Sequence, residues 1–70
     1  MRKYDYVAWR EEGQWTAHSP AVPGVYGLGS TLSAAEQDLA DALHEFLDYL
    51  DEIGERAPAP KRVTSGVLEV

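Results

Sequence analysis

The sequence has no cysteine, few basic residues and no long apolar run. Without cysteine, disulfides, thiolate metal sites and cysteine nucleophiles are excluded. Six Lys and Arg against twelve Asp and Glu give a net charge of −6, which argues against binding a phosphate backbone through a basic face. No run approaches the roughly 18 apolar residues of a membrane span, and the first residues lack an apolar signal region. We therefore expect a cytoplasmic protein with no membrane contact and no direct nucleic-acid binding.

A length of 70 residues leaves room for one small domain. Such a chain buries only about 60% of its unfolded surface, and its core supplies about 3–5 kcal/mol. With no disulfide, and with two His too far apart in the sequence for a structural zinc pair, oligomerisation is the remaining source of stability. We predict a homo-oligomer, a dimer or larger. The predicted domain covers 1–70, with a core over 3–54, a Pro-containing connector over 55–64 and a terminal strand over 65–70.

Two aromatic, β-rich runs open the chain, over 3–10 and 14–19, and the turn between them ends in Gly13. A three-residue turn would place Trp9 opposite Trp15. Because strand side chains alternate, one face would then carry Val7, Trp9, Trp15 and Ala17, and the other Tyr4, Tyr6, Ala8, Thr16 and His18. One helix covers only one face, so we expect the second face to meet another chain.

A break at 20–24, which contains two prolines, precedes a third short strand over 25–28. Gly27 within this strand indicates a bulge or a close backbone approach. A helix is predicted over 33–53, with Ser33 as the capping residue, Glu36 reaching back to it, and Gly54 ending the helix. The predicted fold is α+β, a two-layer β-β-β-α-β arrangement of a small antiparallel sheet with one long helix packed on it.

An acidic stripe runs along the predicted helix, within an arc of about 80°. Its members are Asp38, Asp41, Glu45, Asp48 and Glu52. A solvated face that serves solubility and a docking surface for a basic protein both account for it. The helix contains no Lys or Arg, whereas a merely soluble helix usually mixes both signs.

Candidate catalytic groups are few. His18 and Ser19 are neighbours, but adjacent strand residues point to opposite faces, which opposes nucleophile–base geometry. His44 lies among the helix acids, and no closed set of metal ligands is apparent. The glycine-rich stretch 24–29 lacks the Lys-Ser or Lys-Thr of a phosphate loop. We expect no catalytic residue, no cofactor and no metal.

The order of these signals resembles the HicB-like antitoxin family. After the two aromatic strands, the resemblance rests on Pro20-x-x-Pro23-Gly24, on Gly29-x-Thr31 and on the helix start, and it covers residues 3 to about 60. It implies a partial ribonuclease H-like fold without nuclease activity. It also implies oligomers and a non-catalytic role, in which the chain binds and neutralises a HicA-type toxin that cleaves RNA.

The resemblance also assigns structural roles, at the turn and the helix entry, to the Pro-Gly and Gly-x-Thr residues. With the predicted cap, the structural set is Pro20, Pro23, Gly24, Gly29, Thr31, Ser33 and Glu36. The alternative is an orphan domain of the same fold that binds a small ligand or another protein and has no toxin partner.

Overall fold

A computed structural model describes residues 2–70; Met1, the first residue of the predicted domain, lies outside this range. The elements in chain order are β1 (Val7–Glu11), β2 (Gln14–His18), β3 (Tyr26–Gly29) and α1 (Leu32–Glu52). The strands form one antiparallel sheet in the order β1-β2-β3, and α1 packs on it. The predicted α+β class, with three strands followed by one long helix, is confirmed.

The β1–β2 turn has two residues, so the predicted register is wrong. Glu12 and Gly13 both have positive φ, of +50° and +79°, as in a type I′ turn. Trp9 therefore pairs with Thr16, and Trp15 pairs with Arg10. Because a shift of one residue moves a strand's side chains to the other face, the predicted division of the two faces is also wrong.

Opposite residues share a face, so the two pairings define both sides of the sheet. The side toward α1 carries Ala8, Arg10, Trp15, Ala17, Gly27 and Gly29. The other side, here called the open sheet face, carries Val7, Trp9, Thr16, His18, Tyr26 and Leu28, with Glu11 and Gln14 at its rim.

The helix approaches β3 more closely than side chains would allow. A Cβ atom on Gly27 would lie 2.7 Å from the Leu39 Cα, and one on Gly29 would lie 2.6 Å from the Ala35 nitrogen. The close backbone approach predicted at Gly27 is confirmed, and Gly29 shares it. Ala17, Ala35 and Leu39 form the buried cluster beside this contact, with the half-buried Trp15 and Leu43 among the residues around it.

The helix starts earlier than predicted. Thr31 is the N-cap, and its Oγ1 accepts a hydrogen bond of 3.0 Å from the Ala34 N–H. Ser33 lies inside the first turn, so the predicted capping box of Ser33 and Glu36 is wrong. Helix entry is the role that the HicB-like resemblance gives to Thr31.

The C-terminal end of α1 is as predicted. Gly54 has a φ of +74° and donates its N–H to the Asp51 carbonyl at 3.2 Å. Glu55 donates to the Leu50 carbonyl at 2.9 Å, which completes a Schellman motif. At about 31 Å, α1 is roughly twice as long as the strands, so its second half extends past the sheet.

The predicted terminal strand over 65–70 does not form within the described residues. Val67, Leu68 and Val70 are almost fully exposed, because no edge of the sheet pairs with them. The connector over 55–64 instead packs beside the N-terminal segment, which is residues 2–6 before β1. The Tyr4 hydroxyl donates to the Pro58 carbonyl at 2.6 Å, and the Val63 N–H donates to Asp5 Oδ2 at 2.8 Å.

The close contact at Gly27 predicts a steep cost for the smallest side chain. Gly27→Ala should lower the free energy of unfolding by about 3 kcal/mol, because the new methyl group meets helix backbone, which has little freedom to move. Chemical denaturation followed by circular dichroism measures the change.

Gly66→Ala is the matched control, since a Cβ there meets nothing within 4 Å. It should leave stability within about 0.5 kcal/mol of wild type. A cost below about 1 kcal/mol at Gly27 would contradict the close packing of the helix on the sheet.

Candidate functional site

All five residues of the acidic stripe are exposed, four of them along the outer side of α1 and Asp38 beside the edge of β3. They are Asp38, Asp41, Glu45, Asp48 and Glu52. No basic residue lies in the last turn of the helix. Negative charge there opposes the helix dipole, and neighbouring like charges repel each other by a few tenths of a kcal/mol per pair. The stripe is therefore a surface that the helix carries at a small cost in stability.

Two members of the stripe have hydrogen-bond partners within the chain. Asp38 Oδ2 accepts a bond of 2.9 Å from the Leu28 N–H. This N–H lies on the outer edge of β3, where no neighbouring strand pairs with it. Asp41 Oδ1 accepts one of 3.0 Å from Gln37 Nε2. Asp38 thus blocks the exposed strand edge as well as adding charge, since an unpaired edge invites pairing with other chains.

Glu36 contacts the N-terminal segment, away from the helix cap. Its Oε2 accepts a hydrogen bond from the Tyr6 hydroxyl. This bond, with a little burial and the negative charge of Glu36, raises the pKa of the Tyr6 phenol above its ordinary value of 10.0. The bond fixes the segment before β1 against the first turns of α1.

The residues of the Pro-Gly motif shape the connection between β2 and β3. Val22 donates its N–H to the Ser19 carbonyl at 3.0 Å, which closes a turn around Pro20. Val22 is buried beneath this turn, and Pro23 is exposed. Gly24 follows with a φ of +88°. These residues have structural roles in the turn, and Gly29 has one in the close approach to the helix.

His18 and Ser19 are not arranged as a nucleophile and its base. The Ser19 side chain is buried, and its Oγ has no hydrogen-bond partner in the structure. The His18 ring lies between Trp9 and Tyr26 on the open sheet face, with ring centroids 5.7 and 5.4 Å away. A buried hydroxyl beside a histidine whose ring contacts are aromatic has no access to a substrate.

An open cleft of about 580 Å³ lies beside β1, where the helix does not cover the sheet. Tyr4, Tyr6, Trp15 and Asp5 are among the residues that line it, and the Asp5 carboxylate also accepts the Val63 N–H. Ala8, Leu32 and Val63 supply apolar surface. The cleft is open to solvent over much of its extent, so it would cover a small ligand on one side only.

The sequence did not indicate this cleft, and it indicated an uncovered sheet face but assigned the wrong residues to it. The cleft depends on the packing of 58–63 against the N-terminal segment, which no local pattern predicts. The open sheet face depends on the hairpin register. Gly13 is the one local signal for it, because a type I′ turn needs a positive φ at its second central residue, which glycine adopts readily.

Residues 2–70 contain no group of three or more His, Asp or Glu side chains placed to hold a metal ion. None of their helical segments has the length and apolar character needed to cross a membrane.

The bond between Tyr6 and Glu36 predicts a titration difference. Since the folded state favours the neutral phenol, the bond contributes its full stability below pH 10.0 and loses it as the pH rises through the folded pKa. Glu36→Ala should lower the Tyr6 pKa toward 10.0. Phenolate absorbance during an alkaline titration measures this, with Tyr6→Phe to identify the Tyr6 signal.

Glu45→Ala is the control, because it removes a helix carboxylate from the acidic stripe, on another side of α1 from Glu36. It should leave the Tyr6 titration unchanged. Superimposable curves for wild type and Glu36→Ala would show that the bond is not formed in solution.

Comparisons with protein-family models, with curated proteins and with solved structures found no match to this chain.

Proposed function

We propose that this chain is a non-catalytic protein-binding module that neutralises a basic, RNA-cleaving toxin of the HicA type by covering its active surface. The observation that carries the proposal is the exposed, single-sign acidic stripe on α1. The HicB-like resemblance of the sequence names the class of partner, and the β-β-β-α fold is compatible with it. A cytoplasmic location follows from this role, because such a toxin acts where RNA is translated.

Electrostatics support a basic partner for the stripe. Asp41, Glu45, Asp48 and Glu52 are exposed along successive turns, so a partner can approach them without rearrangement of the fold. Clustered charge of one sign steers a partner of opposite charge and raises the association rate, and it does so most at low ionic strength. RNA-cleaving proteins need positive charge to hold the phosphate backbone. An acidic surface that covers this charge would prevent RNA from binding.

The non-catalytic part of the proposal is supported by the placement of the candidate groups. Ser19 is buried, and the His18 ring is held among aromatic rings. The carboxylates of the acidic stripe are exposed to solvent, and none of them lines the cleft beside β1. General acid–base catalysis needs a positioned group within hydrogen-bond reach of the substrate.

The test is capture of a basic partner and loss of capture on charge reversal. Wild-type chain should bind the product of the neighbouring gene and stop it from cleaving RNA. The double variant Glu45→Lys/Asp48→Lys should bind at least about 10-fold more weakly, because it places cations at the centre of the stripe. Isothermal titration calorimetry at two salt concentrations measures the affinity.

Glu11→Lys/Glu69→Lys is the matched control, since it makes the same change in net charge at exposed residues outside the stripe. It should lose less affinity than the stripe variant. Equal losses for both variants, or no basic partner in the native host, would contradict the antitoxin role. Circular dichroism should show both variants folded, because Lys in the stripe relieves repulsion between neighbouring acids.

The cleft beside β1 favours a second candidate, an orphan domain that binds a small ligand. Its aromatic lining and single carboxylate suit an apolar or weakly cationic molecule. A ligand that raises the unfolding temperature of wild type, and fails to do so for Trp15→Leu, would favour this candidate. Loss of the acidic stripe should not affect such a ligand.

A further inference from the structure

The backbone of β1 has unpaired groups along its outer edge. Successive residues of a strand direct their N–H and C=O groups alternately toward one neighbour and toward the other. Because Glu11 and Gln14 close a two-residue turn, the backbone groups of Glu11 face β2. Those of Arg10 and Ala8, which are one and three residues away from Glu11, therefore point out of the sheet.

The two edges of the sheet differ in how they are protected. On β3 the same alternation directs the Leu28 N–H outward, and Asp38 accepts it. On β1, within residues 2–70, no further strand pairs with the outward groups of Ala8 and Arg10. The five residues of β1 pair regularly with β2, without a bulge or a proline. A regular edge with free donors and acceptors is a template for an added strand.

The cleft beside β1 continues this edge on the side of the sheet that faces α1. Ala8 and Trp15 lie on that side and line the cleft together with Leu32. In a strand added to β1, every second side chain would point to the same side. The side chain opposite Ala8 would enter the cleft.

The charges along this edge indicate which side chains fit. Asp5 is the one charged residue among the described residues that line the cleft, and Tyr4, Tyr6 and Trp15 line it as well. An arginine packs on aromatic side chains while its guanidinium pairs with a carboxylate. Arg10 is exposed on the same side of β1 as Ala8, so an acidic side chain fits opposite it.

We propose that the free edge of β1 binds an extended peptide segment of another protein as an added antiparallel strand. An arginine of this segment lies opposite Ala8 and enters the cleft toward Asp5, and an acidic residue two positions before it lies opposite Arg10. Bonds to the β1 backbone supply affinity, and the two charged side chains supply specificity. The proposal does not rest on the proposed function, because the acidic stripe on α1 takes no part in this contact.

The acetylated and amidated pentapeptide Glu-Val-Arg-Val-Thr is the probe. It has no net charge, so general attraction to an acidic chain does not contribute to binding. Titration followed by nuclear magnetic resonance should give a dissociation constant between about 10 µM and about 1 mM. At saturation, hydrogen exchange of the Ala8 and Arg10 amides should slow at least about 5-fold, because both then donate to the peptide. The Trp9 amide already faces β2, so its exchange should not change.

Backbone methylation of the probe distinguishes strand pairing from other binding modes. N-methylation of its arginine removes the N–H that faces β1 and should weaken binding at least about 10-fold. N-methylation of the valine after it removes an N–H that points away and should leave the affinity within about 3-fold. Equal effects of the two methylations would overturn the proposal. So would acetylarginine amide that binds as tightly as the pentapeptide, since the cleft would then be a small-molecule site.

Asp5→Asn tests the contact with the guanidinium. It should weaken binding of the pentapeptide at least about 5-fold, because it removes the negative charge while keeping an oxygen that can accept the Val63 N–H. Asp51→Asn is the matched control, an exposed acid of α1 outside the cleft, and it should bind within about 2-fold of wild type. Circular dichroism should show both variants folded. Equal losses for the two variants, or unchanged exchange at Ala8 and Arg10 with about 5 mM pentapeptide, would overturn the proposal.

Discussion

The helix can lie against the sheet only because two positions of β3 have no side chain. Gly27 and Gly29 let the backbone of α1 come within reach of the strand backbone. The buried residues beside them are consequently small, mostly alanine, with Leu39 as the large member of the cluster. Because the backbone of α1 lies so close to the backbone of β3, the core between them has little volume for aromatic side chains. Most of the large aromatic rings lie elsewhere, on the open sheet face and around the cleft beside β1.

This arrangement gives the small subunit two different sides. The side of α1 that faces solvent is strongly acidic, whereas the open sheet face is nearly neutral and apolar. The two surfaces suit partners of different chemistry, and the helix and sheet between them keep them apart. Asp38 connects the two layers, because its carboxylate accepts the free N–H of Leu28 at the edge of the sheet. The edge next to α1 is thereby protected from pairing, and the broad face is left available.

The sequence predicted the helix and its C-terminal end well because those signals are local. The apolar spacing and Gly54 depend only on residues within a few turns of one another. The hairpin register depended on a turn that puts a glutamate in the left-handed region, an uncommon conformation for that residue. Two candidate caps, Thr31 and Ser33, stand two residues apart. In the folded chain Glu36 binds the Tyr6 hydroxyl, so it does not reach back to Ser33 to complete a capping box, and Thr31 is the N-cap.

The terminal strand could not be predicted for a different reason. Residues 67–70 have the composition of a strand, but a strand exists only where an edge pairs with it, and composition does not show whether one does. The acidic stripe needed only helical periodicity, so the sequence placed all five of its residues on the exposed side. The cleft depends on contacts between distant segments, and the residues of the open sheet face depend on the hairpin register, so neither follows from periodicity.

The contact between Gly27 and the helix backbone has a consequence for how chains of this fold diverge. Any side chain at Gly27 or Gly29 pushes the two layers apart, so both positions tolerate no other residue without a compensating shift of the whole helix. The exposed carboxylates of the acidic stripe have no such steric constraint. Other residues, including residues of opposite charge, can replace them as the partner surface changes. Distantly related chains of this fold would therefore keep glycine at these two positions of β3, while the charged residues on the outer side of the helix would differ from one chain to another.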